Sequence, residues 1–121
     1  MTTHYFPEAN DPALQPFTQS FVHLMFAARV RCFTRNGHDW ADRFPAIVDA
    51  AARLKASSFL IDGEAVIAHD DGTPDFHALR SQRRGHEAVL YAFDLIEHDG
   101  DDLRDLPLID RKRWLSKLLG R

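Results

Sequence analysis

The sequence is short of most features that would set it apart from an ordinary single domain. Cysteine occurs once in 121 residues, at Cys32. A lone thiol excludes an internal disulfide and suits a reducing compartment, so the expected location is cytoplasmic. Long apolar runs are missing. None approaches the ~18–20 residues of a membrane helix, so no membrane partner is expected. The amino terminus has no basic stretch followed by an apolar one, which argues against a secretory signal. A basic surplus is missing too. The formal net charge is −3, whereas a nucleic-acid binder that works alone usually carries an excess of Lys and Arg. Neither Gly-x-Gly-x-x-Gly nor Gly-x-x-x-x-Gly-Lys-Ser/Thr occurs, which removes the dinucleotide fingerprint and the phosphate loop. Without a Cys pair or a His-Glu-x-x-His, a zinc site is not expected.

What is present is an ordinary globular composition, 45% hydrophobic and 27% charged. That is enough for one domain with one modest core. Positive charge is uneven: Arg29, Arg31 and Arg35; Arg80, Arg83 and Arg84; then Arg111, Lys112, Arg113 and Lys117. Acid gathers at Asp70-Asp71 and from Asp99 to Asp105. By default such runs are solvated turns and helix faces.

Residues 1–20 are polar and broken by Pro7, Pro12 and Pro16, which predicts a loose leader before a domain over 21–121. Val30 to Thr34 alternates like a strand and runs into a turn at Asn36-Gly37. Phe44, Ile47, Val48, Ala51 and Leu54 recur at helical spacing, with Pro45 in a first turn, which predicts a helix over 44–55. Asp71-Gly72 reads as a turn, Phe76 and Leu79 as a short helix, and Arg80 to Glu87 as a charged loop. Ala88 to Ile96 is almost continuously apolar, which predicts a central strand buried on both faces. Asp99-Gly100 is another turn. A last helix starts at Pro107, with Asp110 early and Lys117 late to suit the helix dipole, and Leu108, Leu115, Leu118 and Leu119 as its buried side. The sum is an α+β pattern, a mainly antiparallel sheet with flanking helices.

The segment Phe59 to Ala68, FLIDGEAVIA, stands out. It is a strand with Asp62, Gly63 and Glu64 in its middle. A carboxylate in an apolar setting needs a partner. Gly inside a strand often marks the close approach of a ligand or another backbone.

Three stretches, in order and spacing, resemble the adenylation (nucleotidyltransferase) domain of bacterial ATP-dependent DNA ligases: Arg31-Cys-Phe-Thr-Arg-Asn-Gly37, Ile61-Asp-Gly-Glu64 and Tyr91-Ala-Phe-Asp-Leu95. The connecting runs His38 to Pro45, Gly72 to Phe76 and Asp102 to Lys112 resemble the same family, so the likeness covers roughly Val30 to Leu119. Each motif alone is weak; the spaced set is specific. The resemblance implies part of an ATP-grasp-like nucleotidyltransferase fold, ATP and Mg²⁺ as cofactors, and nicked duplex DNA as partner. It assigns Arg35 to the nucleotide's ribose and phosphate, a role a planar guanidinium fills with paired hydrogen bonds. It assigns Glu64 to the ribose hydroxyl or to the metal. It assigns Phe93 to stacking on the adenine, against the plain reading of Phe93 as core. Asp62 is either a supporting carboxylate or a turn residue. Asp94 receives no role.

Two departures matter. The family's nucleophile is a lysine in Lys-x-Asp-Gly, upstream of the arginine motif, and covalent catalysis cannot proceed without it. Lys55, Lys112 and Lys117 are the only lysines; none precedes x-Asp-Gly, and all follow Arg35. Leu24 to Arg29 stands where the motif is expected. The family's later Glu-Gly and Lys-x-Lys motifs are absent as well. The expectation is a ligase-like fragment with no catalytic residue of its own; the alternative is a remnant that binds a nucleotide or a partner. A sheet with strands missing exposes its edges, so a complementing chain or homo-oligomer is a further expected partner.

Overall fold

The computed structural model describes residues 21–35 and 37–120; the leader and Asn36 lie outside the described residues. The elements are β1 (Phe21–Phe26), β2 (Val30–Thr34), α1 (Pro45–Ala52), β3 (Phe59–Val66), α2 (Phe76–Arg80), β4 (Val89–His98), β5 (Asp101–Asp102) and α3 (Leu108–Leu118). One antiparallel sheet runs β2-β1-β3-β4-β5. Helices flank it, so the α+β expectation holds.

The core follows from strand alternation. Cys32, Leu24, Ile61 and Leu95 form one row across four strands, and all four are buried. The next row on that face, Thr34–Val22–Gly63–Ala92, is buried too. Ile47 and Ala51 of α1, Phe44 before it, and Leu115 of α3 join the same cluster. Successive strand residues point to opposite faces. His23, Asp62 and Glu64 therefore point away from this core, in step with their neighbours. Burial pushes the Cys32 thiol up to about 12, with the Asp39 carboxylate adding to it. Cys32 is thus an unreactive structural thiol.

Several expectations need correction. β1 is absent from the sequence-based assignment, although Val22-His23-Leu24 alternates cleanly. It closes a hairpin with β2 through Ala27-Ala28-Arg29. Leu24 to Arg29, where the lysine motif is expected, is thus the end of a strand and a tight loop. α1 ends at Ala52 rather than 55. The Asp99 carboxylate captures the Ser57 and Ser58 amides at 2.6 and 3.3 Å, which draws the chain out of the helix and into β3. Residues 82–87 form a 3-10 turn rather than a loop. Leu108 is 48% exposed, because Leu103 and Leu106 already occupy the core position ahead of α3.

The largest correction concerns β4. The central strand is β3, which lies between β1 and β4, whereas beyond β4 the described residues add only the two-residue β5. The pairing Leu60–Glu97 is followed by Ile61–Leu95, and Asp62–Asp94 by Gly63–Ala92. Ile96 and Phe93 are therefore extra residues in two bulges. Bulges lengthen the apolar run without burying a second face.

Candidate functional site

The acidic triplet lies at the centre of the sheet. Gly63 faces the core, and the need for glycine there comes from within the fold. A Cβ would meet the Tyr91 carbonyl oxygen at 2.8 Å and the Leu90 side chain at 2.9 Å. Of the two close approaches expected at a strand glycine, a ligand or another backbone, the one found is the neighbouring strand. Asp62 faces outward and is hydrogen-bonded through Oδ1 to His23 Nδ1 of β1. It is thus a strand residue with its own partner, not a turn residue.

Glu64 pairs with Phe21 on one side and Tyr91 on the other. Only 2% of it is exposed. A carboxylate this enclosed, on the face opposite the core, is the most unusual side chain in the sheet. Phe93 is half-buried, and its ring meets Phe21 edge-on at 5.7 Å and 64°. Phe21 is therefore a common neighbour, the cross-strand partner of Glu64 and the ring partner of Phe93. Arg35 follows Thr34, whose own partner is Val22. It stands one step further on, toward the Phe21 end of the sheet, and is exposed. Glu64 and Phe93 thus share Phe21 as a neighbour, and Arg35 stands at the same end of the sheet, just past the edge strand.

Sequence reasoning passed over the residues that hold Phe93. The bulge takes Phe93 and Asp94 jointly out of the alternation, between the buried Ala92 and Leu95. Two cations from α3 secure it. Arg111 binds the Asp94 carboxylate in fork geometry, Nε to Oδ1 at 2.9 Å and Nη2 to Oδ2 at 3.2 Å. Its Nη1 also donates to the Leu106 carbonyl at 2.6 Å. Lys112 Nζ donates to the Phe93 carbonyl at 3.0 Å. The Asp94 carboxylate raises the Arg111 guanidinium above its usual range, so Arg111 is held firmly charged. A signal was available: an Asp inside an apolar strand requires a cation, and Arg111-Lys112 supplies two in succession.

The donor set suits a nucleotide better than a bare metal. A half-buried ring can face a base, and an enclosed carboxylate can accept from hydroxyls. Among the described residues no group of three or more His, Cys, Asp or Glu could hold a metal ion. Mg²⁺ commonly binds through one or two carboxylates together with substrate phosphates. Glu64 fits that role only with a nucleotide present. No helix among the described residues is long and apolar enough to cross a membrane.

Comparison with known proteins gives the family and the fold. The family described as ATP dependent DNA ligase domain matches residues 20–121. The multifunctional non-homologous end joining protein LigD of Pseudomonas aeruginosa is 43% identical over 93 residues, covering 74% of this chain and 11% of that protein. The structure of mycobacterial DNA ligase D complexed with ATP and MES superposes with a TM-score of 0.67 at 26% identity, over 86% of this chain and 35% of that one. The ligase domain of M. tuberculosis LigD gives a TM-score of 0.67 at 30% identity, over 82% of this chain and 34% of that one. The chain thus spans about a third of the solved chains and a much smaller share of the curated relative.

Proposed function

Because the chain belongs to the ATP-dependent DNA ligase domain family, we propose that its sheet face binds ATP without itself forming a covalent lysyl-AMP. The enclosed Glu64 and the bulged Phe93, both neighbours of Phe21, are the observation that carries this reading. Phe93 takes the adenine face, Glu64 accepts from a ribose hydroxyl or supports Mg²⁺, and the exposed Arg35 meets the ribose and phosphates. The β1–β2 hairpin carries no lysine. Lys112 is tied to the Phe93 carbonyl, and Lys55 and Lys117 line a groove formed with α1 and α3. Residues 21–121 are, on this reading, part of an adenylation domain. Nick sealing on duplex DNA requires further parts of that machinery, from a complementing chain or a second copy.

Calorimetric titration with ATP and Mg²⁺ should show saturable binding below millimolar concentration. Glu64→Gln should weaken it about tenfold or more, the worth of a hydrogen bond to a charged group. Phe93→Ala should weaken it by a similar factor through loss of stacking. Intact mass spectrometry after incubation should show no adenylate adduct. Absence of heat at millimolar ATP defeats the nucleotide reading, and an adduct on any lysine defeats the non-covalent one.

A further inference from the structure

A second site lies elsewhere on the fold. The carboxyl ends of α1 and α3 converge near His98 of β4 and enclose a groove of about 530 Å³. Arg53 and Lys55 line it from the end of α1, and Lys117 from the last turn of α3. Among the described residues that line it, none is acidic. Trp114 is also in the lining and is 43% exposed, unusual for so large an apolar ring. Its position is fixed: the His98 ring lies 5.7 Å away, tilted 38°, and Lys117 Nζ stands 5.6 Å from its centre.

Cations near helix carboxyl ends are ordinary where they offset the helix dipole. Here, however, they come from two elements some sixty residues apart and surround an exposed indole. A chain with net charge −3 has thus gathered three cations in one groove with a largely exposed indole. A phosphodiester strand is the ligand whose chemistry fits both parts. Its phosphates meet the cations, and an unpaired base stacks on the indole whatever its identity. A duplex cannot offer that stack, because its bases are already paired and stacked.

We propose that the groove of Arg53, Lys55, Trp114 and Lys117 binds single-stranded DNA. The choice of DNA rests on the family to which the chain belongs. The site itself makes no use of Glu64, Phe93 or Arg35, so it stands or falls apart from the nucleotide reading.

The test is fluorescence anisotropy of a labelled oligo-dT of about 12 nucleotides, with tryptophan emission followed in parallel. Binding should quench the emission, and Trp114→Ala should weaken binding about tenfold. Lys55→Glu with Lys117→Glu, two exposed positions at which the fold should persist, should weaken binding tenfold or more. That double variant should leave the ATP affinity unchanged. With about three phosphates neutralised, raising salt from roughly 50 to 200 mM should weaken binding by roughly 15- to 20-fold. Circular dichroism confirms that each variant is folded. The proposal is overturned if the charge-reversed chain binds within twofold of the parent, or if Trp114→Ala has no effect. It is equally overturned if a duplex of the same length binds as tightly as the single strand, or if the parent does not bind.

Discussion

Gly85→Ala is expected to cost about 3 kcal/mol of stability, at the upper end of what overpacking a well-filled interior does. A methyl carbon at this position would stand 2.0 Å from the Arg43 carbonyl oxygen and 3.1 Å from its carbon. Both atoms are main chain, so no rotamer change relieves the overlap. The contact joins the 3-10 turn Gln82–Glu87 to the 3-10 turn Ala41–Arg43. Phe44 follows one turn and Ala88 the other, and both are fully buried. Separating the turns therefore opens the core between α1 and the start of β4. Urea unfolding should show a lower midpoint with an unchanged slope, and the melting temperature should fall by roughly 10 °C or more. A melting temperature within about 2 °C of the parent would mean that the turns part without strain.

Arg111→Ala is expected to cost about 2–3 kcal/mol and to weaken ATP binding as well. Removing one partner of a buried ion pair leaves the other charge uncompensated, at ~3–5 kcal/mol for full burial. Arg111 and Asp94 are 17% and 16% exposed, so water recovers part of that sum. The substitution also frees the Leu106 carbonyl, which accepts from the same guanidinium. Arg111→Met combined with Asp94→Asn should recover part of the loss, giving a coupling of ~1–2 kcal/mol in a double-mutant cycle. Because the pair holds the bulge at Phe93, Arg111→Met should lower ATP affinity severalfold in chain that is still folded. Stability lost without any change in ATP affinity would make the clamp purely architectural and separate it from the nucleotide face.

Much of the fold was legible in the sequence, and the failures share a cause. Val30 to Thr34 and Phe59 to Val66 announce themselves because alternation is local. So do the turns at Asp71-Gly72 and Asp99-Gly100. A bulge is not local, since it is defined by the strand opposite. Phe93 and Ile96 therefore read as two more apolar residues in a buried strand. The same holds for Gly63, whose glycine answers to Tyr91, and for Asp94, whose counter-charge lies 17 positions later. β1 had its signal in Val22-His23-Leu24, but that signal runs straight into Leu24 to Arg29, where a lysine motif was expected. For the candidate site, the resemblance supplied Glu64 and Phe93, which the fold sets around Phe21. The α3 residues that hold Phe93 appear only once the helix is laid along β4.

The carboxylate that ends α1 has one more effect. Asp99 accepts from two main-chain amides far away in the chain, and those bonds, ahead of its His98 neighbour, hold its pKa below the usual carboxylate range. A lowered value means that this tie is complete near neutrality and lapses as pH falls through the lowered value. Acid thus loosens the sheet at a seam, where the β4–β5 hairpin tip is laced to the start of β3.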